Sequence, residues 1–130
     1  MDRRNGGSKA HILVVDDDRL ILATLAKGLR QADYGVSEAN SGEDALRLAS
    51  AVKPDLALLD MRMPGMSGIE LAQRLTSDEI PFIFLSAYGD AEIVKQAAEH
   101  GALGYLVKPL DVPQIKIGRA SCRERVYVLV

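Results

Sequence analysis

The chain has 130 residues, 48% of them hydrophobic, and its 16 Lys and Arg stand against 18 Asp and Glu for a formal charge of −2. That length suits one globular domain, which hides roughly two-thirds of its unfolded surface, and so slight a charge lacks the basic stripe that nucleic acid or an anionic membrane surface would select. No apolar stretch approaches the roughly 20 residues of a membrane span, and Met1 to Ala10 is polar and rich in Gly, Asn and Ser rather than a signal peptide, so residues 1–10 are expected to be a flexible lead on a cytoplasmic protein.

From there the chain alternates short β-rich runs with longer amphipathic stretches, the pattern of βαβ units. The first strand is expected over Ile12 to Asp16 and the first helix from about Arg19 to Ala32, with Ile21, Leu22, Leu25 and Leu29 on one side. Acidic residues at its start suit a helix N-terminus. The second strand is the short Val36 to Ala39; Ser41 then caps a helix with the stripe Ala45, Leu48, Ala49 and Val52, which Pro54 stops. A third strand, Leu56 to Asp60, leads through the turn dipeptide Pro64-Gly65 to the capping box Ser67-Gly68-Ile69-Glu70 and the helical Leu71, Ala72 and Leu75.

The fourth strand, Phe82 to Ser86, is continuously apolar, as a strand buried on both faces is. Asp90 is placed to cap a helix through Ile93, Val94 and Ala97 that Gly101 ends. Gly104 to Val107 reads as a fifth strand, and Asp111-Val112-Pro113 as the opening of a fifth helix that hardly begins. Ile117 to Val130 changes character: it has no helical apolar face, ends in a β-prone run, and resembles the translated read-through of a widely used sequencing adapter. It is expected to be a non-native tail, leaving residues 11–116 as the domain. The only cysteine, Cys122, lies inside it, and removing its three Arg and one Glu shifts the formal charge from −2 to −4.

If the first and third strands are parallel members of one sheet, Asp16-Asp17-Asp18 and Asp60 open on the same edge, where open α/β sheets bind ligands. Gathered anions repel and titrate upward unless a hard divalent ion neutralises them, and oxygen donors without His or Cys favour Mg²⁺. Taken singly, Asp60 could be a turn residue, Asp17 or Asp18 a helix cap, Lys108 a solvated charge, Ser86 a hydroxyl satisfied by backbone, and Tyr105 a half-buried aromatic on an edge strand. Convergence decides: acids after strands one and three, a hydroxyl ending strand four and a lysine after strand five share one edge.

Four segments then match a known family: Ile12-Leu13-Val14-Val15-Asp16-Asp17, Leu58 through Gly68, Leu85-Ser86-Ala87, and Gly104-Tyr105-Leu106-Val107-Lys108-Pro109. Over about His11 to Ile115 the chain resembles a response-regulator receiver domain of two-component systems. The resemblance implies a flavodoxin-like (CheY-like) doubly wound α/β fold with a five-stranded parallel sheet in the order 2-1-3-4-5, an arrangement for which receivers are a standard example. It implies a phosphorylated signalling domain rather than a conventional enzyme, one that catalyses its own phosphoryl transfer and dephosphorylation. Asp60 would take the phosphoryl group from a sensor histidine kinase; Asp17, Asp60 and the backbone carbonyl of Arg62 would hold Mg²⁺ directly, with Asp16 helping through water. Lys108 would pair with the phosphoryl oxygens, and Ser86 and Tyr105 would form the switch. The readout face would be the fourth helix, fifth strand and fifth helix, which also offers a homodimer surface; neither nucleic acid nor membrane is expected to touch this segment.

Ser at position 86 keeps the hydroxyl of the family's commoner Thr but loses a methyl, and Arg62 and Tyr88 occupy variable positions that influence water access. The runs Pro81 to Asp90 and Gly101 to Ile115 further resemble receivers that precede RNA-binding antitermination (ANTAR) domains; a DNA-binding output or none is the alternative. A haloacid-dehalogenase-type phosphatase would need a second acid where Arg62 stands, and three consecutive Asp would repel a dinucleotide's phosphates. A phosphorylation-independent module of the same fold remains the structural rival.

Overall fold

The computed structural model describes residues 10–86, 92–108, 116–119 and 126–129, with side chains described over 10–86 and 95–108. Its elements run β1 (His11–Val15), α1 (Arg19–Gln31), β2 (Gly35–Ala39), α2 (Gly42–Val52), β3 (Leu56–Asp60), α3 (Gly68–Ser77), β4 (Phe82–Ser86), α4 (Glu92–Glu99), β5 (Gly104–Val107), β6 (Lys116–Arg119) and β7 (Val126–Leu129). The first five strands form one parallel sheet in the order β2-β1-β3-β4-β5, as expected.

Each strand alternates its side chains between two apolar layers, because successive residues point to opposite faces. Leu13, Val15, Ala57, Leu59, Phe82 and Phe84 meet the inner faces of α2, α3 and α4 through Ala45, Ala49, Leu71, Ala72, Leu75 and Ala97. Ile12, Val14, Leu56, Leu58, Ile83, Leu85 and Leu106 form the other layer, with Leu22, Leu25 and Leu29 of α1. Every residue of β3 and β4 is buried, which is why these runs are apolar up to their last residues, Asp60 and Ser86, rather than alternating.

Helix ends follow local chemistry. The Asp18 carboxylate accepts from the amides of Leu20 and Ile21 and caps α1; Ser41 accepts from the Asp44 amide at the start of α2; Ser67 and Glu70 form the reciprocal capping box of α3. At the end of α2, Lys53 takes a left-handed φ of 48° just before Pro54, consistent with the steric bar that proline places on a preceding α-helical residue. Gly101, with φ of 75°, turns the chain from α4 toward β5.

Four boundaries differ from expectation. β1 begins at His11 and ends at Val15, so Asp16 lies just past the last strand residue, although its amide still donates to the Ala39 carbonyl at 3.2 Å. β2 starts one residue earlier, at Gly35, where it pairs with His11, and α1 ends at Gln31. In the C-terminal stretch read as foreign, β6 and β7 pair antiparallel, with Ile117 opposite Val128. The expected Asp90 cap, residues Ala87 and Tyr88, and the fifth-helix opening at Asp111 to Pro113 lie outside the described residues.

Phe84 is fully buried and meets Phe82 edge-on at 5.5 Å. Replacing it by Ala should lower unfolding free energy by about 3–5 kcal/mol. Urea denaturation followed by circular dichroism checks this, and a loss below about 1 kcal/mol would contradict so closed a core.

Candidate functional site: an acidic pocket at the sheet edge

Register builds the site. Val15 pairs with Leu59, Asp60 with Leu85, and Ser86 with Val107, so Asp16, Asp60, Ser86 and Lys108 fall at or one step beyond the carboxyl ends of four adjacent strands. The ladder continues past those ends: the Met61 amide donates to the Leu85 carbonyl at 3.2 Å and the Lys108 amide to the Ser86 carbonyl at 2.8 Å. Side chains expected to converge are thus fixed by backbone hydrogen bonds rather than by loops alone.

The acidic triplet divides into three roles. Asp16 is fully buried, Asp17 is exposed, and Asp18 is spent on the α1 cap. One carboxylate oxygen each from Asp16, Asp17 and Asp60 lies within 4.8 Å of the others, a group able to hold a cation. Asp16 already has both oxygens engaged, Oδ1 by the Asp18 amide at 2.9 Å and Oδ2 by the Lys108 ammonium at 3.1 Å. Asp60 Oδ1 receives Lys108 Nζ at 3.5 Å and the Arg62 amide at 3.4 Å. Lys108 therefore bridges both buried carboxylates, and its shorter contact is to Asp16, a partner that sequence reasoning did not assign to it.

Electrostatics follow from this crowding. Burial first, and then the negative charge of Asp16, push the Asp60 carboxyl from 3.8 up to about 7; the nearby Lys108 charge pulls it down, a hydrogen bond with Asp17 raises it, and the Arg62 amide lowers it. For Lys108 burial opposes the ammonium, but the hydrogen bond to Asp16 and the charges of Asp60 and Asp16 outweigh it and hold the group above its ordinary 10.5. The donor set is all oxygen and carries excess negative charge, which fits a hard divalent cation.

Of the remaining expected residues, Ser86 is buried at the end of β4, and Tyr105 stands 42% exposed on the edge strand β5. Arg62 is exposed in the loop after β3. A cleft of mixed polarity, lined by Met61, Arg62, Met63, Ser67, Ile69 and Gln96 among others, opens beside this loop. Gly68 was read as part of the capping box and of the segment Leu58 through Gly68, without a role of its own, yet the first turn of α3 lies against the Asp60 and Met61 backbone there, with the Gly68 amide donating to the Met61 carbonyl at 3.2 Å. Sequence carried no signal for that contact beyond the glycine itself.

The family model of the response regulator receiver domain matches residues 12–117. The chain belongs to this family. Such receivers are signalling domains phosphorylated at an Asp in phosphorelays; they bind Mg²⁺ at an acidic pocket and interact with histidine kinases. The chain is 37% identical over 119 residues to the transcriptional regulatory protein PdtaR of Mycobacterium tuberculosis, covering 87% of this chain and 58% of that protein. It is 36% identical over 107 residues to sporulation initiation phosphotransferase F of Bacillus subtilis, covering 81% and 86%. Against the solved chemotaxis protein CheY4 of Vibrio cholerae the TM-score is 0.75 at 29% identity, covering 82% of this chain and 92% of that one. For the NarL receiver of Mycobacterium tuberculosis the values are 0.72 and 36%, with coverage of 82% and 89%. This receiver thus spans little more than half of the first regulator it matches, and among its described residues no helix is long and apolar enough to cross a membrane.

Two predictions come from the pocket. Without a divalent cation the folded receiver keeps the Asp60 proton to about pH 7, whereas the unfolded chain releases it near 3.8, so this group's contribution to stability falls as pH rises through that window and levels off above it. Asp60→Asn should therefore raise the melting temperature in chelator more at pH 8 than at pH 5, and added Mg²⁺ should stabilise the parent more at pH 8; equal effects at both pH values would refute the crowding argument. For the triplet, Asp18→Ala should cost about 1 kcal/mol of stability through the lost cap and leave Mg²⁺ affinity unchanged, whereas Asp17→Ala should weaken Mg²⁺ binding at least tenfold with little loss of stability, both measurable by calorimetry.

Proposed function

We propose that Asp60 is the phospho-acceptor of this receiver and that Asp17, Asp60 and the Arg62 carbonyl hold Mg²⁺ directly, with Asp16 acting through water. The observation that carries the reading is the Asp16, Asp60 and Lys108 constellation at one sheet edge, with Asp17 beside it. Asp16 suits the indirect role because both its oxygens are already taken, while Asp17 is the exposed member of the group.

A carboxylate oxygen of Asp60 attacks the phosphorus of a phosphohistidine on a sensor kinase, the P–N bond breaks, and an acyl phosphate forms as the imidazole leaves. Such a transfer is accelerated mainly by positioning and by charge at the equatorial oxygens. Mg²⁺, when bound, supplies part of that charge. Lys108 supplies the rest, at 17% side-chain exposure and already 3.5 Å from Asp60. Hydrolysis of the acyl phosphate by water in the same pocket returns the receiver to its starting state.

Ser86 lies next to Lys108 across the β4 and β5 ends, which supports the reading that its hydroxyl meets the new phosphoryl oxygens, and Tyr105, on β5, is the aromatic whose position would follow. The readout face is α4, β5 and the segment after it, where a homodimer would also form. The domain is proposed to span residues 11–116, with 117–130 outside it, in keeping with a family match that ends at 117. Relatives that are transcriptional regulators favour a transcriptional output, and the likeness over residues 81–115 favours the antitermination type.

Intact mass after incubation with acetyl phosphate tests the core of this reading. One acid-labile phosphoryl adduct is expected, dependent on Mg²⁺ and absent from Asp60→Asn. A folded, Mg²⁺-binding chain that never gains the adduct would instead favour a phosphorylation-independent interaction module.

A further inference from the structure

We propose that Gly68 is a positioning residue for phosphoryl transfer: its missing side chain lets the first turn of α3 seat against the backbone of Asp60 and Met61 and so sets where the Asp60 carboxylate and the Arg62 carbonyl stand. This deepens the assignment of Asp60 as acceptor and rests on it.

A Cβ built on Gly68 would overlap the Asp60 carbonyl oxygen and stand 3.0 Å from the Asp60 carbonyl carbon and 2.9 Å from Met61 Cα. All three are backbone atoms, so no side-chain rotation relieves the overlap. Gly68 lies within a helix and has no left-handed φ, so the position requires glycine for space and not for conformation.

Either α3 or the end of β3 must yield to an added methyl. α3 is anchored: Leu71, Ala72 and Leu75 are each fully buried in the layer beneath it, and the Ser67 and Glu70 capping box fixes its first turn. Among the described residues, the ladder beyond Asp60 continues in the hydrogen bond from the Met61 amide to the Leu85 carbonyl, at 3.2 Å. Any yielding at the strand end moves the reacting group with it. The Arg62 amide also leans on Asp60 Oδ1 at 3.4 Å, so a shift of Asp60 and Met61 moves the nucleophile and the loop carbonyl together. Because this chemistry depends on placement, a displacement of about 1 Å is costly.

The test compares Gly68→Ala with Leu75→Ala, which weakens the far end of the same helix without touching the site. Mg²⁺ affinity by calorimetry and the phosphorylation rate with acetyl phosphate at saturating Mg²⁺ are measured on the full chain, at a temperature where circular dichroism shows both variants folded. Gly68→Ala should lose at least tenfold in each, while Leu75→Ala stays within twofold of the parent; a folded Gly68→Ala with parental values overturns the proposal. If Gly68→Ala does not fold, Ser67→Ala takes its place, loosening the seat without adding a methyl. At least a threefold loss of Mg²⁺ affinity is then expected, and unchanged affinity overturns the proposal. A parent that gains no adduct overturns the acceptor assignment itself, so the two failures are distinguishable.

Discussion

Two buried carboxylates share one ammonium, and the rest of the molecule is arranged around that imbalance. Asp16 is withdrawn from water entirely and Asp60 nearly so, while Lys108 reaches both from 3.1 and 3.5 Å. Removing charges from water costs several kcal/mol per ion unless close partners restore what hydration supplied. One cation cannot restore it for two anions with Asp17 alongside. Burial first, and then the negative charge of Asp16, show as the upward shift of Asp60, and a pocket that resists ionising this carboxyl gains most from a divalent ion.

Such a pocket needs a rigid frame, and the parallel sheet provides one. Asp60 follows Leu59 on the central strand β3, flanked by β1 and β4, and both faces of that strand are closed by apolar layers. Since side chains alternate with a period of two, a register slip of one residue would send Leu59 and Asp60 to the wrong faces. The buried apolar pattern of β3 therefore fixes the chemistry as well as the fold. Capping contributes too: by taking over the α1 N-terminus, Asp18 leaves Asp17 free to face the pocket.

Much of this was legible in the chain. β-rich runs ending in Asp, Asp, Ser and just before Lys located four strand ends, and the alternation of strands and helices implied a parallel sheet whose carboxyl ends coincide. Helix caps at Ser41 and Ser67 were visible because capping is local chemistry. What stayed hidden depends on pairwise distance. Nothing in the spacing of Asp16 and Lys108, 92 positions apart, says that the lysine sits nearer to Asp16 than to Asp60. Nor does a glycine after a serine reveal that a strand backbone lies behind it. The end of β1 was misplaced by one residue for a related reason: the Asp16 amide still bonds to Ala39, so the hydrogen-bond ladder outlasts the strand.

An apolar residue at position 16 would remove a fully buried carboxylate from beside Asp60, but taking one partner out of a buried ion pair is itself destabilising. The same change would leave Lys108 with Asp60 as its one ion-pair partner among the described residues. With Asp16 taking the shorter contact, the ammonium is held close to Asp60 without being committed to it. On the proposed reading, the fully buried Asp16 would do for the lysine what Gly68 would do for the backbone: each would hold the Asp60 carboxylate and its surroundings in place for an incoming phosphoryl group.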